Sequence, residues 1–284
     1  MAYLAALAAT PATGGDQAQN ETVGDFIVHH VQNSHEWNFF GYHIHLPQFE
    51  PVNVLGIQID LSITNHVVMI WVAALFILLS FTLSFRKRKM VPGGFASLLE
   101  MMILFIRDEV AIPNLGMEDG RKFTPLIATF FFFILTCNLM GLVPLFTTPT
   151  GNINITAAMA LITLGTGQLI GIKRHGFFGH FKSLVPSGVP LALIPLMFVI
   201  EIMGLLAKHF ALLMRLFANM VAGHIVIFAF LALVFILKTV FVAPFSVGFA
   251  IFVNLLEILV AFIQAYVFTM LSTLFIGMSL HPEH

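Results

Sequence analysis

Residues 195–238 contain nothing that reads as a soluble loop, and residues 245–279 have the same character. As helices rising ~1.5 Å per residue they are ~65 Å and ~50 Å long, against a bilayer hydrocarbon core of ~30 Å. Neither can stand upright in a membrane. The first stretch has two solutions: two short spans with an apolar turn near residue 215, or one helix lying steeply tilted. The turn would fall in MRLFANM, which has neither Gly nor Pro and consists of good helix formers. The tilted helix, weakened at most at Gly204 and Gly223, is therefore preferred. The chain is expected to end in a hairpin of two slanted helices over 189–280, joined near Thr239–Pro244.

Composition agrees. Of 284 residues, 58% are hydrophobic and 10% are charged, where a soluble domain has roughly a quarter charged. An ordinary soluble enzyme is excluded. Cys137 is the single cysteine, so a disulfide framework and a cysteine-based metal site are excluded too. The net charge of −1 says little; the positions of the charges say more.

Residues 1–62 hold no Lys or Arg and include Asp16, Glu21, Asp25, Glu36, Glu50 and Asp60, which reads as an acidic, loop-rich extracytoplasmic segment. Its start, MAYLAALAA, lacks the basic residues of a signal peptide, so cleavage is disfavoured. His35-Glu36 and His43-x-His45 suggest a metal site, but Phe39 stands where a zincin helix needs its second His. Solvated, hydrogen-bonding histidines are the preferred reading.

The first span, within 63–89, ends in Arg86-Lys87-Arg88-Lys89 after a stretch with no cation. By the positive-inside bias the N-terminus lies outside and this cluster is cytoplasmic. Residues 95–112 place Glu100 and Arg107 seven apart on one helical stripe, which predicts an amphipathic interfacial helix ended by Pro113. Residues 121–175 form a hairpin of spans, about Phe123–Val143 and Thr156–Ile172. Arg121-Lys122 and Lys173-Arg174 mark its cytoplasmic side, and Pro149-Thr150-Gly151-Asn152 its outer turn. A cytoplasmic loop, 173–188, and a cytoplasmic C-terminus complete the topology. The fold class is thus an all-α polytopic membrane protein: three upright spans, one interfacial helix and the tilted hairpin.

Within that hairpin sit Glu201, Lys208, Arg215 and Glu257, with His209 and His224. Each ionisable group near the bilayer centre costs at least ~2.5–3.5 kcal/mol, so each needs a use or a partner. Glu201, Lys208 and Arg215 are each seven apart, with Asn219 beside them, and form one polar line. Asn254, Glu257 and Gln264 form another, and the two stripes read as facing surfaces. A static Arg215–Glu257 pair would add little net stability; a polar path for ions is favoured.

The segment MRLFANMVAGHI, followed by Glu257 and then Gln264, closely resembles the a subunit of F-type ATP synthases. CNLMGLVP followed by PTGNINITAAMALITL resembles it as well, so the likeness covers roughly residues 60–280. It implies a stator that packs against a rotating c-ring and offers two proton half-channels, in a bacterial inner membrane, with b-type peripheral stalk subunits as further partners. Arg215 would separate the half-channels, and Asn219 and Gln264 would position it. His224 and Glu257 would line the outer half-channel, and Glu201 with Lys208 would border the cytoplasmic one. In well-known bacterial members the acid and the His occupy each other's positions, which leaves open which takes the proton first. His209 reads as a satisfied helix histidine. No cofactor or metal is expected, and His224 with Glu257 favours protons over sodium as the coupling ion, which is mainly a property of the ring.

Among alternatives, a stand-alone channel or transporter would show internal repeats with interrupted helices, and none is visible. Haem ligation wants paired histidines on two spans, and an intramembrane protease lacks its motif. No phosphate-binding glycine loop is present, so any ATP chemistry belongs to other subunits, and nothing suggests nucleic acid.

Overall fold

The computed structural model describes residues 62, 64–86, 93–143, 148–183, 190, 193–237 and 240–280, and the backbone of four short strands. The strands form two antiparallel hairpins, β1 (Glu36–Phe39) with β2 (Tyr42–His45), and β3 (Val52–Val54) with β4 (Ile57–Ile59). The acidic segment thus carries local strand pairing that its loop-like composition concealed. In each hairpin two residues ending in Gly separate the strands, a spacing that suits a tight turn. The side chains of His35, Glu36, His43 and His45 lie outside the described residues.

Among the described residues, five helices are long and apolar enough to cross a membrane. They are α1 (Asn65–Ser84), α4 (Met117–Gly141), α5 (Ile153–His175), α7 (Ile194–Leu237) and α8 (Ala243–Leu280). The short helices are α2 (Phe95–Phe105), α3 (Ile112–Leu115) and α6 (Phe177–Ser183). The described part is a helical membrane protein.

The core is built around α4. Its Ile127, Phe130, Phe131, Ile134 and Leu135 are buried with Leu212 and Leu216 of α7 and Ala265, Phe268 and Ile276 of α8. On α1 the opposite holds: Trp71, Leu75, Phe76, Leu78 and Leu83 are all exposed. Such a surface is stable only against lipid or another apolar chain.

The interfacial segment departs from expectation in two ways. It does not end at Pro113. After α2 the chain makes a π-helical turn over Ile106–Ala111 and continues as α3 through Pro113 to Leu115. Pro113 is tolerated because it occupies the start of a new helical segment, where a missing N–H costs little. Nor is the exposed side purely polar: Phe95, Leu98, Met101 and Phe105 are exposed beside Ser97, Glu100 and Asp108, while Ala96, Leu99, Ile106 and Val110 are buried. Arg107 donates from Nε and Nη2 to both oxygens of neighbouring Asp108, at 2.7 and 3.0 Å. Gly116, at φ 83°, reverses the chain into α4, and Gly120 lets α4 lie against α3. A Cβ at Gly120 would sit 2.8 Å from Ile112 Cα.

Residues 173–188 are not simply a loop. α5 runs through His175, its last turn bearing Lys173, Arg174 and His175 as the helix dipole favours. Gly176 at φ 73° ends it and α6 follows. At this basic end Arg174 pairs with Asp119 at the start of α4, and His175 Nε2 bonds the carbonyl of Leu280 at 3.1 Å. His180 folds back onto Gly171, its Nε2 bonded to Gln168 Oε1 at 2.8 Å. Burial, and secondarily the charge of nearby His175, hold its pKa below the ordinary value.

α7 is one unbroken helix of 44 residues, about 66 Å long, with no turn at residue 215 and no break at Gly204 or Gly223. A 3₁₀ turn, Val240–Val242, leads into the antiparallel α8 of 38 residues. Of the two alternatives, the single continuous helix is therefore the one realised.

Candidate functional site

Arg215 falls at the middle of α7, 21 residues past Ile194 and 22 before Leu237. The helix turns Leu212, Leu216 and Met220 into the core, spaced four apart. Arg215 lies about 100° around the helix from the centre of that buried row, and its side chain is exposed. Lys208 is exposed on the same side, Glu201 and Asn219 half-buried. The polar line of α7 therefore points outward rather than onto α8, a correction to the expectation of two facing stripes. No Arg215–Glu257 pair forms, for both Glu257 oxygens are buried and lack a hydrogen-bond partner among the described residues. Ala207, Ala211, Ala218 and Ala222 are exposed around Arg215. Small side chains of this kind let another helix approach closely, a signal the charge spacing does not contain.

Three contacts set the register of the hairpin. Phe230 stacks on Phe249 at 5.4 Å, Glu257 lies against Gly223, and His209 packs on Phe275 at 5.0 Å. Gln264, seven residues beyond Glu257, consequently comes level with the turns carrying Arg215 and Asn219, where it is buried. No hydrogen bond joins Gln264 or Asn219 to Arg215 among the described residues. His209 Nδ1 meets the Leu205 carbonyl at 2.9 Å, while its Nε2 is buried with no hydrogen-bond partner among the described residues, so the ring is only half satisfied.

His224 lies about 13 Å further along α7 than Arg215, and Glu201 about 21 Å in the other direction. Polar groups thus flank the arginine on both sides along the helix axis. His224 turns inward and Nε2 shares a hydrogen bond of 2.7 Å with Thr148 Oγ1. The Glu257 carboxylate occupies the notch left by the missing side chain of Gly223, where any Cβ would overlap it. Glu257 thus lies beside the residue that precedes His224, and no hydrogen bond or ion pair joins the two side chains among the described residues. Glu201 and Lys208 are not joined to each other by a hydrogen bond or ion pair among the described residues.

Against known proteins, a family model described as ATP synthase A chain matches residues 67–277. The chain is 48% identical over 265 residues to ATP synthase subunit a of Chloroherpeton thalassium, covering 90% of this chain and 77% of that protein. It is 50% identical over 229 residues to ATP synthase subunit a of Myxococcus xanthus, covering 80% and 75%. To ATP synthase subunit a 2 of Prosthecochloris aestuarii it is 46% identical over 284 residues, covering 97% and 84%.

Proposed function

From the premise that the chain belongs to the ATP synthase A chain family, we propose that it supplies two proton half-channels against a rotating c-ring, with Arg215 as the barrier between them. One observation carries this reading: a permanent cation at the midpoint of a 44-residue helix, on an open face lined by alanines. Ring subunits each bearing one membrane-embedded carboxylate fit that face.

A carboxylate in hydrocarbon has to be neutral, because an isolated charge there is very costly. Carried into the interface beside Arg215, it is favoured as the anion and gives up its proton to one half-channel. Once past the arginine it is reprotonated from the other half-channel and returns to lipid. Transport then requires rotation. Arginine suits the task because its guanidinium keeps its proton, whereas a desolvated lysine sheds one. The fixed charge also repels protons, which keeps the two paths from joining.

His224 and Glu257 form the outer half-channel, and the imidazole and carboxylate together suit a relay near neutral pH. Glu201 and Lys208 border the cytoplasmic one, and Gln264 with Asn219 shapes the surroundings of Arg215. The N-terminus is extracytoplasmic and the C-terminus cytoplasmic. The exposed apolar face of α1 suits lipid and the membrane helix of a b-type stalk subunit. The chain contributes no nucleotide chemistry of its own; ATP is made on other subunits.

Arg215→Ala and Arg215→Lys are expected to abolish proton-driven ATP synthesis in membrane vesicles while the complex still assembles. Retained synthesis in either variant overturns the proposal, as does an intact complex lacking a small two-span subunit in many copies.

A further inference from the structure

The half-channel residues named so far leave unexplained what faces His224 across its site. The partner is Thr148, 76 positions away in sequence, whose hydroxyl lies 2.7 Å from His224 Nε2. Thr148 is itself buried, and three features outside the hairpin hold it. Gly141, at the end of α4, makes room for it: a Cβ there would overlap both its hydroxyl and its methyl group. Two residues on, Thr150 donates to Asn138 Oδ1 at 2.8 Å, pinning the turn to α4. On the third side the ring of His66, 2% exposed at the start of α1, faces the Thr148 main chain. A hydroxyl fixed by α1 and α4 is thus offered to a histidine on α7.

Building on the half-channel reading above, we propose that Thr148 passes the proton to and from His224, and that His66 is a positioning residue that aims the Thr148 hydroxyl. A threonine hydroxyl both donates and accepts. When Nε2 is bare, Thr148 O–H donates to it; when Nε2 carries a hydrogen, the hydroxyl oxygen accepts. In transfer, the O–H bond breaks as the Nε2–H bond forms, and the oxygen regains a proton from a hydronium on its other side, which is left as water. The positive charge moves from that hydronium to the imidazole, and the hydroxyl ends as it began. The titratable groups around the pair are His66 on α1 and Glu257 on α8, while the turn and α4 contribute the uncharged Thr150 and Asn138.

The test uses the whole complex in membrane vesicles, reading proton-driven ATP synthesis and ATP-driven proton pumping between pH 6 and 8.5. Thr148→Val keeps the shape and removes the hydroxyl, and it should slow both by at least tenfold, a conservative threshold set below the ~100-fold that a positioned proton-transfer group contributes at the lower end. Thr148→Ser, smaller and still hydroxylated, should recover most of that loss. Gly141→Ala, which leaves Thr148 and His224 intact but displaces the hydroxyl, should behave like the valine variant. His66→Leu should shift the pH profile, and His66→Gln, which offers an N–H to the same main chain, should bring it back. Wild-type rates in Thr148→Val or Gly141→Ala overturn the inference, and so does a serine variant as slow as valine, which would make Thr148 a packing residue. Arg215→Ala run in parallel separates the two levels: coupling that survives there removes the half-channel reading itself, whereas its loss beside an active Thr148→Val removes the relay alone.

Discussion

Replacing Gly223 by alanine tests whether the placement of Glu257 matters. The new Cβ would stand 2.7 Å from the Glu257 carboxyl carbon and 3.3 Å from its Cγ, and would overlap the leading oxygen. Carbon atoms in ordinary contact lie about 3.5 Å apart. The carboxyl carbon must therefore retreat by roughly 0.8 Å, and the oxygen by more. Because the crowded atoms end a flexible side chain, the fold should absorb the change, at a cost toward the lower end of the ~1–3 kcal/mol typical of overpacking. Function is less forgiving, since a misplacement of ~1 Å at reacting groups can cost on the order of 100-fold. We expect proton-driven ATP synthesis to fall about tenfold or more with complex content unchanged. Glu257→Asp withdraws the carboxylate by one methylene, about 1.5 Å, and should make the Gly223→Ala step far less damaging than it is beside glutamate. The assay is a double-mutant cycle on synthesis rates per assembled complex. A Gly223→Ala variant at wild-type rate, or two substitutions whose effects simply multiply, would refute the reasoning.

Two further tests concern the basic end of the molecule. His180 has a folded-state pKa below its ordinary 6.5, from burial first and His175 second. The unfolded segment therefore binds more protons in that window, so docking of α6 on α5 is fully supported above about pH 6.5 and weakens as pH falls through the folded value. Protection of the amides of residues 177–183, corrected for the intrinsic pH dependence of exchange, should fall between pH 7.5 and 5.5, and a protection factor that stays constant would contradict this. Gly277→Val would put a Cβ 2.6 Å from the Asn114 carbonyl oxygen, a backbone atom that cannot swing away. We expect a loss on the order of 1–3 kcal/mol, seen as a lower melting temperature of the purified complex. Gly248→Ala, at a position with open space around it, should show no such loss.

What was legible in the sequence depended on the range of the signal. The continuous α7 was readable because MRLFANM offers no residue that could turn the chain, and its length alone ruled out an upright helix. Arg215 was readable because a charge in such a run has few uses. The direction Arg215 faces was not, for spacing within one helix fixes only relative angles. The buried row of Leu212, Leu216 and Met220, set by packing on α5 and α8, decides which side turns outward. Pro113 was misread as a stop because the π-helical turn before it, which resets the helix, leaves no periodic trace in sequence. Thr148 escaped notice for a different reason. It sits in a turn whose Pro and Gly announce only a reversal, and His224, the partner that gives it meaning, is 76 positions away on α7. The alanines around Arg215 were in plain view, and their spacing along one face is the cue that could have been used.

The unbroken length of α7 has a consequence for direction. A helix of about 66 Å confined to a core of ~30 Å lies about 60° from the membrane normal. Its two ends are then displaced sideways by nearly 60 Å, several helix diameters. On the proposed reading, the openings on either side of Arg215 meet the passing ring at different angular positions, not merely at different depths. A slant is chiral: leaning the other way would exchange the order in which a ring site meets entry and exit. The sense of rotation for a given proton gradient would thus be written into the lean of one helix, and no side-chain substitution that preserves the lean should reverse it.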